Sequence, residues 1–167
     1  MILAELLKDR QRKLISVGRD AHISFIYEVM KSNRIHHLAV INDHTFLGLV
    51  DQEAILDAIM ISPLNFNSLE AQDIMRRHIP AVLPEHSIED VVKLMKEKNL
   101  PALPYMVNGK CETLITRTDI LKLVYEHALN VSDEGGDLLD KAIQRSDLAM
   151  TNPVVHRVTK LLADIGI

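Results

Sequence analysis

The chain has 167 residues, 47% of them apolar, with a formal charge of −4, one cysteine and no tryptophan. That length suits one domain with a full core or two small half-domains, and the apolar share excludes disorder as the overall state. The acidic balance disfavours nucleic acid as a partner, and the lone Cys111 excludes an intrachain disulfide or a cysteine-rich zinc site. No apolar run approaches the roughly 20 residues of a membrane span, so a cytoplasmic protein is expected.

Ile2, Leu3, Leu6 and Leu7 recur at helical spacing within residues 1–13, with Lys8, Arg10, Arg12 and Lys13 toward the end where cations suit the dipole. Leu14 to Val17 reads as a brief strand. Ile23, Ile26, Tyr27 and Met30 mark the inward face of a second helix. Strands over His37 to Ile41 and Thr45 to Val50 flank an Asn-Asp-His turn. A helix over Gln52 to Met60, with Ile55, Leu56 and Ile59 inward, stops at Ser62-Pro63.

The second half repeats the first. Shifted by 65 positions, Val17 to Leu56 overlays Val82 to Leu121 without a gap, and the matches fall on inward positions: Val17 on Val82, Ile23 on Ile88, Met30 on Met95, Leu38 on Leu103, Leu49 on Leu114. In the second copy Ser87 and Asp90 form a capping pair before Ile88, Val91, Val92 and Met95. Leu100 to Val107 and Lys110 to Ile115 are its strands, around the hairpin turn Asn108-Gly109. Each copy is β-α-β-β-α, an α+β fold in which two repeats are expected to pack about a pseudo-twofold axis. The expected divisions are 1–66 for the first repeat with its N-terminal helix, 67–130 for the second, and 131–167 for a helical tail.

The stretch Thr113 to Val124, TLITRTDILKLV, is a strand running straight into a helix. Backbone N–H groups and the positive end of the dipole meet at that junction, where an anion can settle. Thr116 and Asp119 are equally a helix cap, and local sequence leaves both readings open.

Beyond Tyr125-Glu126-His127, the polar VSDEGG of residues 131–136 reads as a hinge. Residues 137–148 and Val154 to Ile165 carry apolar stripes at helical spacing, separated by Asn152-Pro153. Amphipathic helices beside a completed core need a surface to cover, on this chain or on another.

A tandem β-α-β-β-α repeat with Asp73-Ile74-Met75 leading into the second copy and Leu114-Ile115-Thr116-x-x-Asp119-Ile120 closing it resembles a pair of cystathionine β-synthase (CBS) domains, the Bateman module. The resemblance covers roughly residues 1–128. It implies a regulatory module that binds an adenosine-based small molecule (AMP, ADP, ATP or an S-adenosyl compound) in the cleft between the copies, with no cofactor required. It implies phosphate contact for Thr116 and a grip on the ribose hydroxyls for Asp119, roles that suit a hydroxyl donor and an ionised acceptor. Arg117 adds a cation or is a solvated helix residue. Ile79, Pro80 and Val82 are implied as the apolar wall for adenine, and His36 as the residue reaching the phosphate, with Arg76, Arg77 and His78 as alternatives.

The first copy departs from this pattern. Asp51 stands where Thr116 does and Ala54 where Asp119 does, so a phosphate is repelled and a ribose is not held. One nucleotide per chain is therefore expected. The small residue usual three before the closing Thr is Gly48 in the first copy but Thr113 in the second. His36 and His37 point to opposite faces and do not chelate one ion, so no metal is expected. No nucleophile with a base, phosphate-binding glycine loop or metal cluster marks an enzyme. The expectation is a ligand sensor, homodimeric through its helices, that signals to a regulated protein. The alternative is a structural dimerisation module whose ligand sites have decayed.

Overall fold

The computed structural model describes residues 2–8, 13–123 and 160. The hinge at 131–136 and the tail helices expected over 137–148 and 154–165 lie outside the described residues, Lys160 excepted. In chain order the elements are α1 (Leu3–Leu7), β1 (Ser16–Val17), α2 (Ile23–Asn33), β2 (His37–Asn42), β3 (Thr45–Asp51), α3 (Gln52–Ile61), a 3-10 turn (Phe66–Ser68), α4 (Ala71–Ile74), α5 (Ile88–Glu97), β4 (Ala102–Val107) and β5 (Lys110–Thr116). A sixth helix, α6, follows at once and is described over residues 117–123. The fold is α+β, with two β-α-β-β-α repeats.

The repeat is visible in the backbone itself. Arg34 and Asn99, 65 residues apart, both take left-handed φ (54° and 49°) at the ends of α2 and α5. At the same offset, Ile35 N–H donates to Met30 O at 3.0 Å and Leu100 N–H to Met95 O at 2.9 Å. The hairpin turns Asp43-His44 and Asn108-Gly109 likewise share positive φ at both positions, the geometry that lets a two-residue turn follow the twist of its strands. Val17 pairs in parallel with Val40, and Val82 bridges in parallel to Tyr105.

Two compact units divide the chain. One holds Asp9–Pro84 and Ala102–Leu114. Its sheet runs β1-β2-β3, with β2 antiparallel to β3 in the register His37↔Asp51, Leu38↔Val50, Val40↔Gly48 and an irregularity after Val40. Alternating side chains of these strands meet α2 and α3 in a core that includes Val17, Ile23, Ile26, Met30, Leu38, Val40, Val50, Ile55 and Ala58. The segment after α4 adds to the free edge of β3, where Leu49 and Arg76 exchange backbone hydrogen bonds at 3.0 and 2.8 Å.

The other unit holds Met1–Lys8, Glu85–Pro101 and the chain from Ile115. There α5 starts with a reciprocal capping box, Ser87 Oγ accepting from Asp90 N–H at 3.1 Å and Asp90 Oδ2 accepting from Ser87 N–H at 2.9 Å. Leu3 N–H donates to His86 O at 2.9 Å, so α1 is tied to the start of the second repeat's helix. The first repeat shows the counterpart within its own unit: Ala71 N–H donates to Ala21 O at 2.8 Å, and Glu70 bridges to His22 beside the start of α2. Each long repeat helix thus begins against a short helical segment that lies outside its own β-α-β-β-α unit.

Several expectations need correction. Tyr27 and Leu56 are exposed, not inward. The buried stripe of α2 is Ile23, Ile26 and Met30, and Tyr27 stands beside it with Lys31 Nζ 5.8 Å from its ring centroid. The first strand is two residues long where four were expected, and the N-terminal helix spans Leu3–Leu7, with residues 13–15 non-helical. Among the described residues no helix is long and apolar enough to cross a membrane.

Candidate ligand site at the strand-to-helix junctions

Where β5 meets α6, Thr116 and Asp119 face each other in a reciprocal cap. Thr116 Oγ1 donates to Asp119 Oδ2 at 2.6 Å, Thr116 N–H donates to the same oxygen at 3.0 Å, and Asp119 N–H donates to Thr116 Oγ1 at 3.2 Å. The threonine is half-buried and Asp119 is 6% exposed. Arg117 is half-buried, and its N–H donates to Pro101 O at 3.3 Å. Of the expected site residues, the structure brings Thr116 and Asp119 together, and it does so through the cap.

The equivalent junction of the first repeat is closed by the protein's own cation. Asp51, 4% exposed, accepts from Ala54 N–H at 2.8 Å through Oδ1 and from Arg76 Nε at 2.8 Å through Oδ2. Arg76 also reaches Glu53. Partial burial pulls the Arg76 guanidinium down, but the hydrogen bond and charge of Asp51, with Glu53 behind them, outweigh it and hold the group above its ordinary value. Arg76, an alternative phosphate ligand by sequence, is thus paired with Asp51 and Glu53. Gly48 is what lets the segment come so close: a Cβ there would sit 2.4 Å from Arg76 O. In the sequence Gly48 and Arg76 stand apart, 28 residues from each other, with nothing to join them. The carboxylate at Asp51, buried on a β-strand, was the signal that a cation had to be near.

The remaining expected residues belong to the unit that contains the three-stranded sheet. His36 is exposed at the bend before β2. Ile79 and Pro80 are half-buried. Val82 is 0% exposed; its N–H donates to Pro104 O and its O accepts from Met106 N–H, both at 2.8 Å. With its side chain enclosed and its main chain paired, Val82 packs the core of its unit. Arg77 donates to Gln72 O at 2.7 Å, and His78 is exposed. Burial first, and then Glu112, pushes the Cys111 thiol up to about 11, which keeps it protonated and unreactive near neutral pH. Among the described residues no group of three or more His, Cys, Asp or Glu is placed to hold a metal ion.

The CBS domain family model matches residues 7–61 and again 71–126. The chain therefore belongs to the CBS domain family, as a tandem pair. Among relatives it is 24% identical to the uncharacterized protein MJ1426 of Methanocaldococcus jannaschii, over 70% of this chain and 89% of the relative. Among solved structures it is similar to a putative signal-transduction protein with CBS domains from Burkholderia ambifaria, with TM-score 0.69 and 22% identity over 74% of this chain and 93% of the other. It is also similar to the CBS domain pair of protein MJ0100, solved in complex with 5′-methylthioadenosine and S-adenosyl-L-methionine, with TM-score 0.64 and 18% identity over 74% of this chain and 98% of the other. CBS pairs are regulatory modules, generally not catalysts, and can bind adenosine ligands.

Proposed function

We propose that this CBS pair is a ligand sensor that takes one adenosine-based nucleotide per chain at Thr116 and Asp119 and signals its presence to a regulated protein. The observation that carries this reading is the difference between two equivalent junctions. At Asp51 a buried carboxylate is held by the cation of Arg76, 25 residues away; at Thr116 a half-buried hydroxyl exchanges hydrogen bonds with Asp119, three residues along its own chain. Bonds of that kind can be exchanged. The hydroxyl turns its proton from Asp119 Oδ2 to a phosphate oxygen, and the carboxylate then accepts a ribose hydroxyl while keeping the Thr116 N–H. The cap and the site are then two states of one pair, and the ligand shifts the balance by binding the exchanged state alone.

The second reading, a structural dimerisation module, is favoured by the same cap if the exchange does not occur. A thermal-shift panel of AMP, ADP, ATP and S-adenosylmethionine separates the two. At about 100 times its dissociation constant a bound nucleotide stabilises by about 2.7 kcal/mol, whereas the structural module shows no shift with any of the four.

In either reading the protein is a homodimer, and α2 suits the contact. Phe25 and Tyr27 are exposed there beside Glu28 and Lys31, so a twofold arrangement can place each sign opposite the other while covering the aromatics.

A further inference from the structure

The bonds that tie α1 to the second repeat are the same bonds that tie α4 to the first. Leu3 N–H donates to His86 O at 2.9 Å and Ala71 N–H to Ala21 O at 2.8 Å, and the two acceptors stand 65 residues apart, the offset of the repeat. Just before each donor, Ile2 bridges antiparallel to Ser87 and Glu70 to His22, at the same offset. Leu3 and Ala71 are both fully buried. Counted from these two anchors, the fifth residue along is Arg76 after Ala71 and Lys8 after Leu3. Arg76 is the cation that holds Asp51 and Glu53 at the start of α3. The pseudo-symmetry therefore carries Lys8 toward the equivalent junction at the start of α6, which belongs to the same unit as α1.

What a cation meets there is of the opposite kind. At an offset of 65, Asp51 becomes Thr116 and Glu53 becomes Thr118, so both carboxylates that hold Arg76 are replaced by hydroxyls. Asp119, the carboxylate of this junction, accepts from Thr116 N–H and Oγ1 in the cap. A cation beside hydroxyls and the N–H groups of a helix start makes a place for an anion, where the same cation beside two carboxylates makes a closed ion pair. The two segments also differ in how they hold their basic residue. Met75 is already extended, with ψ 140°, and Arg76 is hydrogen-bonded along β3, whereas Lys8 ends α1 in the right-handed region, with ψ −37°, and is exposed. Arg76 is thus fixed by its backbone, and Lys8 has a flexible stem with which to follow a ligand.

We propose that Lys8 is a further ligand-binding residue of the sensor, its ammonium pairing with the phosphate of a nucleotide held at Thr116 and Asp119. This rests on the sensor reading above and narrows it: the ligand carries a phosphate, and α1 is tied to α6 through it. The competing role for Lys8 is structural, since a lysine that ends a helix also suits the dipole.

Titration calorimetry of the full chain with AMP, ADP, ATP, adenosine and S-adenosylmethionine separates these roles. At least one of the three nucleotides is expected to bind more tightly than S-adenosylmethionine, and Lys8→Gln to weaken that nucleotide by about tenfold, while adenosine, which has no phosphate, behaves alike with both proteins. Lys8→Arg keeps the charge and is expected to stay within about threefold of the wild type, and Lys13→Gln to change nothing. The ligand-free Lys8→Gln protein is expected to melt with the wild type, which a structural role would not allow. Undiminished nucleotide binding by Lys8→Gln, an equal loss in Lys8→Arg, or a preference for S-adenosylmethionine over all three nucleotides would overturn the proposal. Its failure is distinct from that of the sensor reading: binding that Asp119→Asn weakens and Lys8→Gln does not removes Lys8 alone, and a wild type that binds none of the panel removes the sensor and Lys8 with it.

Discussion

Arg76 Nε donates to Asp51 Oδ2 at 2.8 Å, so the segment leading into the second repeat is pinned to the residue that ends the first repeat's sheet. The same carboxylate caps α3 through Ala54 N–H. One side chain therefore serves a helix start, a strand end and an incoming segment. Replacing Arg76 by Met keeps the chain's bulk but leaves Asp51 buried without its cation. Because Arg76 is itself about a third exposed, the loss is screened and the expected cost is about 1–3 kcal/mol, below that of a fully enclosed pair. Asp51→Asn retains an acceptor for Ala54 and is expected to make the arginine substitution nearly silent in a double-mutant cycle. Additive denaturation midpoints for the two changes would show that the pair is not coupled.

Gly48 makes a separate prediction, because its constraint is space and not backbone conformation. An added methyl meets Arg76 O at 2.4 Å and Met75 Sδ at 3.1 Å, and the first of these is backbone that cannot swing aside. Gly48→Ala is expected to cost about 1–3 kcal/mol and to loosen the Leu49–Arg76 pairing. Hydrogen exchange checks the second part: the Leu49 and Arg76 amides lose protection in the variant while the Leu38 and Val40 amides keep theirs. Wild-type protection at all four contradicts it.

The α5 cap carries a pH dependence of definite sign. Hydrogen bonds from Ser87 N–H and then from Ser87 Oγ hold the Asp90 carboxyl below its ordinary 3.8. A depressed folded value means the stabilisation is fully present above the unfolded value and is lost as pH falls from there through the lower folded one. Asp90→Asn is expected to melt below the wild type at pH 7 and to converge with it under acid. Ser87→Ala should cost about 1 kcal/mol at neutral pH. A gap between Asp90→Asn and wild type that widens on acidification would contradict the cap as described.

The repeat was the most legible feature of the sequence, because inward positions must match when two copies keep one packing scheme, and the 65-residue offset recurs in hydrogen bonds and turn geometry alike. Asn108-Gly109 announced its turn by residue type. Arg34 at the end of α2 did not, since left-handed arginine has no local signature and is imposed by the chain turning into β2. Tyr27 and Leu56 are exposed for a different reason: spacing gives the direction of an apolar stripe but not how wide a strip the neighbouring sheet covers. The Arg76–Asp51 pair was out of reach, because its partners are 25 residues apart and charge names a kind of partner without saying which one. Thr116 and Asp119 are open to two uses by residue type alone, and the structure displays the cap.

Whether that cap also opens to a ligand is decided most directly by titration calorimetry of the full chain with AMP, ATP and S-adenosylmethionine. The account predicts that at least one of them binds at one site per chain, that Asp119→Asn and Thr116→Val each weaken it by roughly 10- to 100-fold, and that Asp51→Asn leaves it unchanged. Two sites per chain, or full affinity in the Asp119→Asn protein, would contradict it.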